Sequence, residues 1–259
     1  MRTETQALRC RSIQTDVATR SPRVFITGDT HGYIDIGKLS TDAWKEQERL
    51  SRDDVLIVAG DFGVPWTYGE DKTDRYILKW YSEKPYTIVF VDGNHDNEDA
   101  LKEEYSVVRF LGAKCHMLRE NVFHVMRGEV LHAGGHKILC MGGAKSTDIE
   151  RRTPHISWWA DEEASYKEWK HCFSSLESEK PDIIVSHDAP ETVVQKMIPE
   201  YSKYFIESST QKNFDMLLDD MIKNGSCVKD WFFGHHHIDR ELELGGIRYH
   251  AMYQKIKEI

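Results

Sequence analysis

Asp54-Val55-Leu56-Ile57-Val58-Ala59-Gly60-Asp61 decides the reading of this chain. The apolar run is too short for a helix and rich in β-branched residues, so it reads as a buried strand of a parallel sheet. Gly60 lets the backbone turn where the strand stops. Asp61 then stands at a strand's carboxyl end, where open α/β sheets keep their ligand sites.

Working outward, the neighbours repeat the pattern. Val24-Phe25-Ile26-Thr27 is a strand running into Gly28-Asp29-Thr30-His31-Gly32. Tyr86-Thr87-Ile88-Val89-Phe90-Val91 is another, ending in Asp92-Gly93-Asn94-His95-Asp96. Residues 34–50, 70–82 and 98–105 read as the helices between and after them. Alternating strands and helices imply a parallel sheet. In the middle, residues 122–126, 129–132 and 137–141 read as short strands, with Arg127-Gly128 and Gly134-Gly135 as hairpin turns. Residues 142–148 form a loop, 151–159 an ordered surface loop, and 162–178 a charged helix. The first pattern then resumes. A strand at 182–186 ends in His187-Asp188-Ala189-Pro190, a helix covers 210–224, and a strand at 229–233 ends in Gly234-His235-His236-His237. Residues 241–253 read as a last hairpin. Without repeats or a long linker, residues 23–259 are expected to form one domain. Residues 1–22, Arg-rich and acid-poor, are expected to be a disordered tail.

Composition narrows the function classes. The 259 residues are 40% hydrophobic and 30% charged, as in a soluble globular protein. A net charge of −9 argues against duplex nucleic acid held by general attraction, but leaves a small phosphorylated substrate or nucleotide open. Five scattered cysteines without a CxxC pair argue against a disulfide framework and for a cytoplasmic setting. No apolar run approaches the roughly 20 residues of a membrane span, and no secretory signal is visible.

Each predicted strand end carries metal-ligand chemistry: Asp29 and His31, Asp61, Asn94 and His95, His187, then His235 and His237. In Asp29-x-His31 and His235-x-His237, alternate residues of an extended segment would point to the same side. A lone histidine at a strand end is usually a core or turn residue; the ordered set is far more specific. It offers too many nitrogen and oxygen donors for one four-coordinate zinc and suits two ions bridged by a carboxylate. Imidazole with carboxylate suits Zn, Fe or Mn, and the set holds no cysteine.

In these blocks (Asp29-Thr30-His31, Gly60-Asp61, Gly93-Asn94-His95-Asp96, His187, and Gly234-His235-His236-His237) the chain resembles the calcineurin-like metallophosphoesterases over roughly residues 23–240. The resemblance implies a four-layer α/β/β/α sandwich of two mixed sheets. It implies a phosphomonoesterase or phosphodiesterase that uses two di- or trivalent ions (Mn, Fe, Zn or Ni), with a water bridging them attacking phosphorus in line. Asp29, His31 and His237 would hold one ion and Asn94, His187 and His235 the other, with Asp61 between them. His95 would protonate the leaving oxygen or stabilise the transition state, and Asp96 would orient it. The chain departs from the protein Ser/Thr phosphatases, which place an arginine after the second block. Here Phe62-Gly63-Val64-Pro65-Trp66 follows, which favours the bacterial and phosphodiesterase-like branches. Positive charge for the phosphate is expected from Arg151 and Arg152, and His236 is a further candidate substrate contact. Trp158 and Trp159 either stack a nucleobase or pack the loop onto the core. The competing classes are a non-catalytic binding module on this fold and an enzyme acting on single-stranded nucleic acid.

Overall fold

The computed structural model describes residues 20–200 and 207–259; residues 1–19 of the expected tail lie outside the described residues. Two sheets pack face to face. In the first, β1 (Val24–Thr27), β2 (Val55–Ala59) and β3 (Thr87–Val91) run parallel, and β6 (Val122–Val125) joins β3 in the same direction. Antiparallel β5 (Ala113–Arg119) and β4 (Val107–Phe110) extend one edge, and antiparallel β13 (Ile256–Glu258) closes the other against β1. The second sheet has a parallel centre of β8 (His136–Met141), β9 (Ile183–Ser186), β10 (Asp230–Phe233) and β12 (Ile247–Ala251). β7 (Val130–Ala133) and β11 (Arg240–Leu244) pair antiparallel at its edges.

Strand period decides the layers. Val24, Ile26, Val55, Ile57, Val89 and Val91 meet Leu131, Ile138, Cys140, Ile183, Val185 and Phe232 between the sheets. The intervening Phe25, Leu56, Val58, Ile88 and Phe90 point outward, under α1 (Lys72–Ser82) with its Ile77, Leu78 and Tyr81. On the far side Leu139, Met141, Ile184, Trp231 and Phe233 carry α3 (Tyr166–Glu179) and α5 (Ser209–Asn224). Strands buried on both faces read as unbroken apolar runs, which is why β2 was legible. The result is the expected four-layer sandwich of two mixed sheets. Short helices α2 (Glu98–Glu104) and α4 (Glu191–Met197) follow β3 and β9. Among the described residues no helix is long and apolar enough to cross a membrane.

Two expectations are corrected, and a pair of strands is added. Residues 34–50 hold two 3₁₀ turns, Ile36–Leu39 and Lys45–Arg49, instead of one α-helix. The Gln47 amide donates to the carbonyls of Leu39, Ser40 and Trp44, satisfying backbone acceptors that a helix would have used. Arg127-Gly128 is no hairpin turn, because β6 and β7 belong to different sheets and the chain crosses between them there. Residues 107–119 form β4 and β5, which the sequence reading left out; β4 alternates exposed and half-buried residues at a sheet edge, so its apolar pattern is weak.

Candidate metal centre

All candidate ligands leave the carboxyl ends of parallel strands: Asp29 and His31 after β1, Asp61 after β2, Asn94 after β3, His187 after β9, His235 and His237 after β10. Packing the two sheets brings these ends to one rim. Ligand atoms of Asp29, His31, Asp61 and His237 all lie within 4.8 Å of one another. From the second sheet, His187 Nε2 lies 3.2 Å from Asp61 Oδ1 and 3.2 Å from Asn94 Oδ1. The His235 ring stands edge-on to that of His187, centroids 5.0 Å apart.

The alternating-residue argument for the histidine pairs is corrected. His31, His235 and His237 have φ of 44°, 65° and 51°, and Asp61 has 47°, so these loops coil instead of extending. Left-handed backbone in non-glycine residues is costly and concentrates at functional sites. Gly93 supplies the close approach. A Cβ there would overlap Asp61 Oδ1 and lie 2.7 Å from His187 Nε2.

The two oxygens of buried Asp61 face different histidines, His31 Nε2 at 3.2 Å and His187 Nε2 at 3.2 Å. Each ring is oriented from behind. His31 Nδ1–H donates to Asp35 at 2.7 Å, and His187 Nδ1–H donates to the Ala59 carbonyl at 2.9 Å. This is the usual support of metal-binding imidazoles, and it turns both Nε2 atoms inward. Burial disfavours charge on His187, yet Asp61 and Asp29 overcome it and raise its pKa to about 10. His31, half-buried, is raised to about 9 against that burial by Asp61, Asp29 and Asp35. The same carboxylates that favour charge on these rings would be neutralised by cations bound between them. Asp29 Oδ2 is buried without a hydrogen bond of its own, His237 Nε2 lying 3.0 Å away. A clustered set of oxygen and imidazole donors with an orphaned carboxylate oxygen fits divalent cations.

His95 sits beside this cluster, its ring edge-on to His31 at 5.4 Å, and its backbone N–H donates to Asp61 Oδ1 at 2.8 Å. Its expected partner is corrected. Asp96 accepts instead from the backbone N–H groups of Gly63 (2.6 Å), Gly93 (2.7 Å) and Phe62 (3.2 Å), so it shapes the loops. Burial and the charge of Asp61 push its carboxyl up to about 7. The group against His95 is Arg152, which is held by Asp148 at 2.6 Å and the Ser157 carbonyl at 3.2 Å. Arg151, by contrast, is exposed. His236, expected to face substrate, is buried with Nε2 3.0 Å from Asp188 Oδ1. Trp159 is buried edge-on against Trp66, so it packs the loop.

Lys38 carries no motif that marks it in the sequence. Its ammonium donates to the carbonyls of Gly28, Asp29 and Tyr253, tying the first ligand loop to a distant segment. Only its helical-looking surroundings marked it, and those pointed elsewhere. A cleft of about 360 Å³ opens beside His31 and His95, with Tyr33, Ile34, Trp66 and Ile77 in its walls.

No curated protein matches the chain in sequence. Among solved structures, the phosphopantetheinyl hydrolase of Mycobacterium tuberculosis is similar at 16% identity and a TM-score of 0.40, covering 90% of each chain. An archaeal phosphodiesterase is similar at 12% identity and a TM-score of 0.35, covering 92% of this chain and 98% of its own. The family model for calcineurin-like phosphoesterase matches residues 22–239 and so takes in every strand-end residue described above. The chain therefore belongs to the calcineurin-like phosphoesterases, hydrolases of phosphate esters.

Proposed function

We propose that the chain hydrolyses a small phosphomonoester or phosphodiester at a two-metal centre bridged by Asp61. The supporting observation is that the Asp61 carboxylate divides its oxygens between His31 and His187, each 3.2 Å away, one from each sheet. Asp29, His31 and His237 would hold one cation, and Asn94, His187 and His235 the other. Bound there, the cations would supply Lewis acidity toward water and neutralise charge on the phosphoryl oxygens. The chain's own groups do the rest. Arg152 meets phosphate charge with its guanidinium, the role for which two planar N–H donors suit it. His95, oriented by its backbone bond to Asp61, gives a proton to the departing oxygen. The alcohol then leaves into the cleft walled by Tyr33, Ile34 and Trp66, whose apolar faces suit an organic leaving group.

The test is a phosphoester panel run on metal-free protein with Mn, Ni, Zn or Fe restored, beside metal analysis. Two ions per chain and metal-dependent turnover of a mono- or diester are expected. Retention of two ions with no turnover of any ester would overturn the hydrolytic reading.

A further inference from the structure

We propose that Ser146 and Glu162 are positioning residues that decide which corner of the Asn94 amide faces the metal centre. The proposal rests on the reading of Asn94 as a metal ligand.

A carboxamide has an acceptor oxygen at one corner and a donor nitrogen of nearly the same size at the other. Only the oxygen can hold a cation, so the surroundings must choose between two orientations of the same shape. Asn94 is buried, its Oδ1 3.2 Å from His187 Nε2 and its Nδ2 donating to Ser146 Oγ at 3.2 Å. A hydroxyl has one proton, and that of Ser146 is committed, since Oγ donates to Glu162 Oε2 at 2.5 Å. Ser146 therefore offers Asn94 lone pairs only, and only the NH₂ corner fits against them. Turning the amide over would set two acceptors face to face and aim a donor at the ligand cluster.

Glu162 is held to this task. Its Oε1 accepts from the Ser146 backbone N–H at 3.0 Å, and its main-chain carbonyl accepts from Ala144 N–H at 3.1 Å. Burial pushes its carboxyl up, and both Ser146 bonds act against that and favour the carboxylate. Ser146 and Glu162 are both buried, so water cannot substitute for either bond. Hydrogen-bond polarity therefore runs one way, from Asn94 through Ser146 to Glu162. It also links the loop after β3 in the first sheet to the loop after β8 in the second.

Glu162→Gln tests this without a change of shape. The Ser146 backbone N–H still selects an oxygen for the Oε1 position, so the new NH₂ falls where Oε2 was and donates to Ser146 Oγ. The hydroxyl proton must then turn to Asn94, which answers with its oxygen and presents NH₂ to the cluster. Metal-free E162Q should take up a first Mn²⁺ as the parent protein does and bind the second about 10- to 100-fold more weakly. Titration calorimetry reads both steps, and the spin-coupled two-manganese EPR signal should give way to the mononuclear one at an unchanged Tm. Ser146→Ala should weaken the second step alone, and Ser146→Thr, which keeps the hydroxyl, should leave it as it was. Parent-like binding of the second ion by both E162Q and S146A, with Asn94→Ala losing it, would overturn the proposal and leave the ligand reading standing. An Asn94→Ala protein that still binds both ions would overturn the ligand reading itself.

Discussion

Arg152 turns its guanidinium to the ring nitrogens of His95, Nη2 2.8 Å from Nε2 and Nη1 3.3 Å from Nδ1. A guanidinium has no acceptor, so this contact exists only with a neutral imidazole that receives a hydrogen bond. Burial and then the Arg152 charge both work against protonation of His95, while Asp61 favours it. A phosphoryl oxygen entering between the two side chains would accept from Arg152, break its contact with the imidazole, and favour the protonated His95 that the departing oxygen needs.

Removing the guanidinium should therefore show in binding as well as rate. Arg152→Ala forfeits a charge-assisted hydrogen bond of about 1.5–3 kcal/mol, roughly a 10- to 150-fold fall in kcat/KM. Steady-state kinetics on the best ester checks it, with a raised KM expected. An unchanged kcat/KM would remove Arg152 from the phosphate site.

His95→Ala should keep its metal and lose turnover by about 100- to 10,000-fold, the usual contribution of a positioned acid. Metal content measured on the same preparation separates this from loss of the centre. The backbone N–H of residue 95 still reaches Asp61 in the variant, which is why the ions should stay.

Gly93→Ala should lose both metal and turnover. Its methyl group would occupy the space between Asp61 and His187, and no rotation of a methyl relieves that overlap. Metal analysis of the folded variant is the measurement; a full complement of ions would refute the close-approach argument.

Asp54 predicts the acid limb of stability. The buried carboxylate accepts from the backbone N–H groups of Arg23 (2.8 Å) and Ser51 (2.7 Å) and pairs with Arg20. Burial alone would raise its pKa, but the Arg20 bond and then the backbone bonds hold it at about 2. The unfolded carboxylate titrates near 4, so the stabilisation is complete above about pH 4 and is lost as pH falls through about 2. Asp54→Asn should be less stable by about 2 kcal/mol at neutral pH, with the gap to the parent closing below about pH 4. Urea melts across that range decide it; a gap independent of pH would show that charge is not the cause.

The strand ends were legible because β2 and its neighbours are buried on both faces and stop at chemically unusual residues such as Asp61 and His187. How each loop turns was not legible. His31, His235 and His237 take left-handed backbone that no local pattern announces, since the conformation is imposed by packing between sheets. Residues 34–50 carry helical spacing that Gln47 overrides through its side-chain bonds. Asp96 looked like a partner for its neighbour because adjacency is what a sequence displays, whereas its donors come from Phe62, Gly63 and Gly93. Arg152, Ser146 and Glu162 reach the site across more than 50 positions, a separation at which sequence alone offers no register.

β13 joins β1 at Thr27↔Ile256, and Lys38 grips the Tyr253 carbonyl. During biosynthesis the first ligand loop emerges from the ribosome more than 200 residues before its edge partner does. A nascent chain thus carries β1 with that flank bare until β13 is translated. A stall or proteolytic clip after residue 239 would leave a polypeptide that holds every proposed ligand yet has an open β1 flank prone to self-association.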